Sequence, residues 1–245
     1  MSRVRRLPMF PASLAVFAAI PLCGAAHAAD TVIAPSPTGW TQPANLGQAE
    51  LDAAAYHDSG AYGRDLATVD DEVGDWLTAQ APHTTRPALV LDIDETALSN
   101  WDEMKANGFG YIPGGPCSLL PHGPCGFEAW ERLEQAPALA PTLRLYKLAR
   151  TLGIAVFFIT GRHDELTTAT AITLQRAGYE GWAGLVLEPA GSRYVHAADF
   201  KAPARAAIEA HGYTILATVG DQRSDLTGGH AVRGFLLPNP FYLIP

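Results

Sequence analysis

The sequence predicts an α/β fold in which helices cover both faces of a parallel sheet. Short apolar runs alternate with helical segments along the chain, as in folds built from β–α–β units. The run "GIAVFFITGR" is also continuously apolar from Ile154 to Ile159, which is typical of a strand buried on both faces. With 245 residues, the chain is long enough for one domain with a small insert.

The first half of the chain predicts a helix, a strand and two further helices. One helical face is indicated by apolar residues at spacings of three and four, namely Tyr62, Leu66, Val69, Val73 and Leu77. A strand follows from Ala88 to Leu91. After it comes an irregular segment rich in turn residues, "NGFGYIPGGPCSLLPHGPCG". Helices are then predicted from Phe127 and after Pro141.

The second half alternates strands with helices. In order, we predict the strand "GIAVFFITGR", a helix over about 163–177, the strand "GLVLEP", the helix "KAPARAAIEAHG" opened by Lys201, and the strands "YTILATVGD" and "VRGFLLPNP". This alternation is the main reason to expect a parallel rather than an antiparallel sheet.

The residues that follow the predicted strands indicate a site for a cation. Ligands of a parallel sheet bind at the carboxyl ends of its strands. The sequence places these groups there: Asp92 and Asp94 after the first strand, Thr160 at the end of the second, Asp221 and Asp225 after the fourth, and Lys201 at the start of the preceding helix. Carboxylates this close are costly to bury unless a cation or a proton lies between them. Oxygen ligands favour a hard divalent cation, so we expect Mg²⁺.

The same groups suggest phosphate chemistry. A bound cation, a lysine and a threonine suit an anionic, phosphate-like ligand. One carboxylate is then free to attack phosphorus and a second to transfer protons. An aspartate after a strand commonly does no more than cap a turn or a helix. It is the combination of all these groups, in this order, that favours a catalytic interpretation.

The first 28 residues have the features of an export signal. A basic start within residues 3–6 precedes a short apolar core, and small residues lead to a cleavage site after Ala28. We expect a periplasmic or secreted protein. A retained membrane anchor is the alternative, and the Arg5-Arg6 pair weakly suggests a twin-arginine signal. Lipid attachment at Cys23 is disfavoured by the bulky Leu22. No later segment has 18 uninterrupted apolar residues.

Two cysteines remain after the predicted cleavage. Cys117 and Cys125 flank the loop sequence "SLLPHGP", and an oxidising compartment favours a disulfide between them. Two free thiols, or a metal site that also uses His122, are the alternatives.

The charge of the chain disfavours a nucleic-acid partner. Without the first 29 residues, 14 basic residues face 25 acidic ones, a net charge of −11. A chain this acidic is poorly suited to binding a phosphate backbone. We therefore expect a small-molecule substrate, no nucleic-acid polymer and no stable membrane anchor. The sequence makes no prediction about oligomeric state.

Four motifs resemble those of the haloacid dehalogenase superfamily: "DIDET", "FFITGR", the isolated Lys201 and "GDQRSD". The segments "DIDETALSN", "GDQRSDLTGG" and "FLLPNPFY" are similar to those of the secreted acid phosphatases of this superfamily. That group includes bacterial class C enzymes and plant vegetative storage proteins. The resemblance covers about residues 45–245. It implies a Rossmann-like core with strand order 5-4-1-2-3 and a small cap inserted after the first motif.

The resemblance also implies roles for the motif residues. Asp92 is the expected nucleophile, and Asp94 protonates the leaving alcohol and then activates water. Thr160 and Gly161 hold the phosphoryl group, and Lys201 neutralises its developing charge. The expected Mg²⁺ ligands are Asp92, the backbone carbonyl of Asp94, and Asp221, with Asp225 close by or acting through water. The implied activity is an acid phosphatase acting on phosphomonoesters, with nucleoside monophosphates among the substrates of similar enzymes.

The resulting domain prediction has three parts: a signal peptide at 1–28, an extended arm at 29–44, and a phosphatase domain at 45–245 with a cap at about 98–140. A storage or binding protein that kept the fold but lost activity is the main alternative. A phosphate-accepting receiver domain is disfavoured, because its acids do not form a D-x-D-x-T pattern. Aromatic residues of the cap and the C-terminal "NPFY" either stack on a nucleobase or simply pack; the candidates are Trp101, Phe109, Tyr111, Trp130, Phe241 and Tyr242.

Overall fold

A five-stranded parallel sheet forms the centre of the protein. The structure, a computed structural model, describes residues 43–192 and 194–244. The strands are β1 (Pro87–Leu91), β2 (Ala155–His163), β3 (Gly184–Glu188), β4 (Thr214–Gly220) and β5 (Arg233–Leu236). They lie in the order β3-β2-β1-β4-β5, and every neighbouring pair is parallel. The predicted α/β fold and the implied strand order are confirmed.

Helices pack on both faces of this sheet. They are α1 (Leu46–Asp58), α2 (Ala61–Gln80), α3 (Trp101–Ala106), α4 (Phe127–Leu133), α5 (Ala140–Thr151), α6 (Thr167–Arg176) and α7 (Ala198–Ala210). Short 3₁₀ turns lie at Ala81–His83, Asp164–Leu166 and Arg223–Asp225. The predicted face of α2 is confirmed, because its apolar residues are buried except for the half-buried Val69.

The central strand shows why the strand sequences are continuously apolar. In β1, Leu89 and Leu91 belong to the larger hydrophobic core that includes α2 and α5. Ala88 and Val90 point the other way, into a second core with Phe200 of α7. Side chains of a strand alternate between faces, so a strand covered on both sides needs apolar residues at every position.

Three predicted boundaries are wrong. Lys201 does not open α7, which begins at Ala198, because Asp199 in the first turn accepts the His196 N–H (3.2 Å) and favours an earlier start. Strand β2 runs on to His163 across an irregularity, so Thr160 lies inside the strand rather than at its end. The helix predicted from residue 163 accordingly begins at Thr167.

The segment between β1 and α5 holds two short helices and a cross-linked loop. Cys117 and Cys125 form the favoured disulfide. Asn107, just after α3, ties this loop down by donating to the Cys125 carbonyl (2.8 Å) and accepting the Cys125 N–H (2.9 Å). Helix α3 was not predicted, since its six residues lie at the start of a turn-rich stretch. The limits of a cap at about 98–140 stay a prediction.

The predicted signal peptide, its cleavage site and Cys23 lie outside the described residues, as does nearly all of the predicted arm. Among the helices that are described, none combines the length and apolar character needed to span a bilayer.

A buried acid between α2 and α5 makes stability depend on pH. Asp70 is buried, and one of its oxygens accepts a hydrogen bond from Thr142 (2.9 Å). Its other oxygen has no hydrogen-bond partner within the described part of the chain. Burial therefore raises the pKa of Asp70 to about 7. The folded state binds this proton more strongly than the unfolded state, so the stabilisation is complete below about pH 4 and is lost as pH rises towards 7.

Asp70→Asn is expected to stabilise the protein above pH 7, because the amide never ionises. A difference of about three pKa units corresponds to at most about 4 kcal/mol in the free energy of unfolding. Thermal unfolding from pH 4 to 8 tests this, with the exposed neighbour Asp71→Asn as a matched control. Unfolding temperatures of Asp70→Asn that run parallel to wild type over this range would contradict the assignment.

Candidate active site

Two neighbouring strands bring three carboxylates together. Strands β1 and β4 pair with Leu91 opposite Val219, and the Asp92 N–H donates to the Val219 carbonyl (3.0 Å). The strands therefore end side by side, with Asp92 next to the loop that carries Asp221 and Asp225. Carboxylate oxygens of these three aspartates lie within 4.8 Å of one another, and all three side chains are buried.

Lys201 lies between two of these aspartates. Its Nζ is 2.6 Å from Asp92 Oδ1 and 2.5 Å from Asp225 Oδ1. Burial alone would lower the pKa of Lys201, but Asp225 and Asp92 outweigh that effect and raise it above its usual value. The lysine is therefore a fixed positive charge. Within the described residues, the other Asp92 oxygen, Oδ2, accepts no hydrogen bond, so it is available for a reaction.

Protein groups already hold both oxygens of Asp225. Oδ1 accepts from Lys201, and Oδ2 accepts the Gln222 N–H (2.9 Å). The Asp225 carbonyl accepts from Arg205 (2.7 Å), which lies one turn after Lys201 on α7. Gly220 leaves the space that this turn needs, since a Cβ there would lie 2.1 Å from Asp225 Oδ2. Asp225 thus orients Lys201 and the loop.

Asp221 is held by two amides. Its Oδ2 accepts from Gln222 Nε2 (2.7 Å) and from Asn239 Nδ2 (2.6 Å), and its Oδ1 accepts from Thr96 (3.3 Å). Burial and the nearby Asp225 raise the pKa of Asp221 to about 6. These donors fix the direction of the carboxylate without supplying a full positive charge.

The three carboxylates and the lysine fit a divalent cation. Asp92, Asp221 and Asp225 carry two more negative charges than Lys201 compensates. Burial, together with Asp225, Asp221 and Asp94, raises the pKa of Asp92 well above its usual value, although Lys201 opposes this. An all-oxygen donor set of this kind suits a hard cation. The group can therefore hold a metal ion.

Asp94 turns away from this cluster and pairs with an arginine. Its carboxylate accepts from Arg162 Nη2 (2.6 Å) and Nε (3.1 Å) and from Asn100 Nδ2 (2.9 Å). Burial would raise the pKa of Asp94, but the charge and hydrogen bonds of Arg162 hold it below its usual range. Its side chain keeps 17% of its exposure, so solvent or a substrate can reach it.

The end of β2 completes the site beside Asp94. Thr160 is fully buried, and its hydroxyl lies 3.5 Å from Asp94 Oδ2 and accepts the Arg162 N–H (3.1 Å). Gly161 is exposed, and a Cβ at this position would meet no atom within 4 Å. Of these two predicted phosphate-binding residues, Thr160 therefore contacts Asp94 from the interior, and Gly161 is the exposed one.

Most of the candidate aromatic residues pack against protein. Trp101, Phe109 and Phe241 contact one another, with ring centroids 5.3–5.9 Å apart, and His57 stacks on Trp101 at 3.5 Å. Tyr111, in contrast, is 71% exposed. Packing thus accounts for the first three residues, whereas Tyr111 keeps a free surface.

The other two aromatic candidates contact groups around Asp94. Trp130 donates to the Asn100 side chain (2.8 Å), and the Tyr242 hydroxyl lies 3.5 Å from the Asp94 carbonyl. The Trp130 side chain is therefore buried and hydrogen-bonded inside the site.

Sequence reasoning missed the residues that hold the motif carboxylates in place. They are Asn100, Glu131, Arg162, Gln222 and Asn239. Four of them were visible as motif positions, but no pattern names its partner: Asn100 ends "DIDETALSN", Arg162 ends "FFITGR", Gln222 lies in "GDQRSD" and Asn239 in "NPFY".

The fold and site together define an α/β protein with a carboxylate–lysine centre at the strand ends. The sequence model of the HAD superfamily, subfamily IIIB (Acid phosphatase), matches residues 36–245, and the chain belongs to this family. Acid phosphatase 1 of Solanum lycopersicum is 32% identical over 185 residues, which cover 75% of this chain and 69% of that protein.

Two further comparisons agree with this membership. The stem 28 kDa glycoprotein of Glycine max is 35% identical over 162 residues, or 65% of this chain, and the chain spans 61% of that relative's length. The crystal structure of a class C acid phosphatase from Bacillus anthracis with tungstate bound is similar, with a TM-score of 0.63 and 20% identity. The match covers 81% of this chain and 86% of that one.

Proposed function

We propose that this chain is an exported, Mg²⁺-dependent acid phosphatase that hydrolyses phosphomonoesters through an aspartyl-phosphate intermediate on Asp92. One observation carries the proposal: within a buried carboxylate cluster, Asp92 has one oxygen fixed by Lys201 and a second that accepts no hydrogen bond from the described part of the chain. Family membership points to the same activity. The tungstate bound to the Bacillus anthracis relative is a tetrahedral oxyanion like phosphate.

In the first step, Asp92 Oδ2 attacks phosphorus and the ester oxygen leaves. Lys201 keeps the Asp92 carboxylate in position and offsets the charge that develops on the phosphoryl oxygens. Gly161, which is exposed and has no atom within 4 Å of a Cβ added there, leaves room for that group beside Thr160. Because Arg162 lowers the pKa of Asp94, only a small fraction of the protein carries a proton on this carboxyl group, and that fraction grows as the pH falls. In that fraction Asp94 gives its proton to the departing alcohol oxygen, which avoids the release of a poor alkoxide leaving group.

In the second step, Asp94 takes a proton from water, which attacks the aspartyl phosphate. The P–O bond to Asp92 breaks, phosphate departs, and both aspartates regain their starting states. Arg162 compensates the charge of Asp94 while it is ionised. The same carboxyl group therefore acts as acid and then as base.

Asp92, Asp221 and the Asp94 carbonyl are the groups that would hold Mg²⁺. Asp225 supports the site indirectly, because Lys201 and the Gln222 N–H already occupy its oxygens. When bound, the cation supplies positive charge to the phosphoryl oxygens.

A storage or binding protein with weak activity is the alternative function. It predicts that the purified protein releases no p-nitrophenol from p-nitrophenyl phosphate, with or without Mg²⁺. The proposed function predicts turnover at acid pH that a chelator abolishes and added Mg²⁺ restores. A panel of phosphomonoesters, with nucleoside monophosphates included, then identifies the substrate.

Asp221→Asn is expected to raise the Mg²⁺ concentration needed for half-maximal activity. The affinity for Mg²⁺ should fall by roughly a hundredfold or more, because even residues that only orient a metal ligand contribute about 10- to 100-fold to metal affinity. Asn239→Leu, which removes a donor to Asp221, should give a smaller shift in the same direction. Asp75→Asn, an exposed change on α2, serves as the control. An unchanged Mg²⁺ requirement in Asp221→Asn would refute its role as a ligand.

A further inference from the structure

The guanidinium group of Arg162 lies between two carboxylates from different parts of the fold. Arg162 Nη2 is 2.6 Å from Asp94 Oδ1, and its Nε is 3.1 Å from both Asp94 oxygens. The same Nε is 3.1 Å from Glu131 Oε1. The side chains of Arg162 and Glu131 are only 1% and 2% exposed. Glu131 belongs to α4, in the segment between β1 and α5.

A second route joins α4 to the same aspartate. Trp130, the neighbour of Glu131, donates its indole N–H to Asn100 Oδ1 (2.8 Å). Asn100 Nδ2 in turn donates to Asp94 Oδ1 (2.9 Å). Both Trp130 and Asn100 are buried. Two consecutive residues of one helix therefore each reach Asp94 through a single intervening side chain.

Burying Glu131 needs a reason beyond packing. A buried carboxylate is unfavourable unless a cation faces it, and the cation that contacts Glu131 is Arg162. Arg162 would, however, be neutralised by Asp94 alone. Glu131 Oε1 lies 3.1 Å from the same Nε that faces Asp94 and accepts no hydrogen bond within the described residues, so it acts on the arginine through charge. The Nε edge of the guanidinium group therefore lies between two carboxylates, one of which belongs to α4.

We propose that α4 fixes the orientation of the Asp94 carboxyl group, with Glu131 as a positioning residue that acts through Arg162 and Trp130 as a second one that acts through Asn100. This inference rests on the proposed role of Asp94 as the group that protonates the leaving alcohol. A proton donor must lie within hydrogen-bond reach of the atom it protonates, and displacement by about 1 Å can cost about a hundredfold in rate.

The leaving group separates this role from general damage to the protein. Asp94 acts on the alcohol oxygen, whereas Asp92 and Lys201 act on the phosphoryl group. A variant that misplaces Asp94 therefore slows esters with poor leaving groups far more than p-nitrophenyl phosphate. A variant that disturbs the fold or the cation site slows all esters by the same factor.

Glu131→Gln is the first test, because it keeps the shape of the side chain and removes the ionisable carboxyl group. Burial raises the pKa of Glu131 to about 8, although Arg162 opposes this, so rates are compared above that pH as well as at acid pH. With an alkyl phosphate we expect kcat to fall by roughly 10- to 100-fold, the usual effect of losing a residue that orients a ligand or catalytic group without touching the substrate. With p-nitrophenyl phosphate we expect a much smaller fall. KM should change little for either ester, since Glu131 touches neither.

Two further variants complete the test. Glu128→Gln makes the same change at an exposed position of α4 and should leave both esters unaffected. Trp130→Phe removes the indole N–H and leaves a smaller aromatic ring at this buried position, and it should show the same dependence on the leaving group. It also keeps the test decisive if Glu131→Gln does not fold, as judged by thermal unfolding.

The outcomes are distinct. A larger loss for the alkyl ester in Glu131→Gln or Trp130→Phe supports the inference. Equal losses for both esters, or no loss in either variant, overturn it while wild-type turnover still upholds the proposed function. If wild type hydrolyses neither ester with Mg²⁺, the proposed function fails and this inference fails with it.

Discussion

Asp92→Asn is expected to abolish hydrolysis of every phosphomonoester. The amide oxygen can still accept a hydrogen bond from Lys201. An amide does not attack phosphorus, however, and it is a weaker ligand for a cation. Loss of a covalent nucleophile lowers kcat on the order of a million-fold in a well-characterised hydrolase. The change is nearly isosteric, and it removes a charge whose burial, together with the nearby acids, raises the pKa of Asp92. The protein should therefore fold.

Initial rates with p-nitrophenyl phosphate and an alkyl phosphate measure this effect. Asp102→Asn, an exposed change on α3, is the matched control. Substantial Mg²⁺-dependent activity in Asp92→Asn would mean that another group attacks phosphorus, and the assignment of the nucleophile would have to be abandoned.

Asp94→Asn is expected to have an effect that depends on the substrate. The amide cannot donate a proton to the alcohol, so kcat for an alkyl phosphate should fall by about 10²- to 10⁴-fold, the usual contribution of general acid catalysis. p-Nitrophenolate leaves with little help, so the first step should survive with that ester. Asp92, Lys201 and Asp221 are unchanged.

The second step distinguishes this variant further. Without Asp94 no base activates the water, so the aspartyl phosphate should form from p-nitrophenyl phosphate and then persist. A rapid burst of one p-nitrophenol per active site, followed by slow turnover, is the expected time course. Equal loss on activated and unactivated esters would show that Asp94 does not act as the proton donor.

Strands β1 to β4 were predictable because each is a short, mainly apolar run with a definite end. β1 and β2 are mostly buried on both faces, so their sequences are nearly continuous apolar runs that are easily identified as strands. α1 could not be identified in this way, because none of its residues is buried and it therefore has no apolar period. The order of the strands came from the family resemblance, since local sequence does not encode which strands are neighbours.

The motif residues were predictable for a similar reason: each follows a strand, and parallel strands end together. Their supporting residues were not. Arg162 reaches Asp94 across 68 positions, and Asn239 reaches Asp221 across 18. Such pairs depend on how loops fold back over the sheet. Glu131 was hidden as well, because an acid in a short helix normally faces solvent.

Mass spectrometry of the phosphorylated intermediate tests the central claim most directly. Asp94→Asn is mixed with p-nitrophenyl phosphate and Mg²⁺, quenched in acid during slow turnover, and digested. The account predicts a mass increase of one phosphoryl group on the peptide that contains Asp92, and none in the double variant that also carries Asp92→Asn. A phosphoryl group on any other residue, or none at all during turnover, would contradict it.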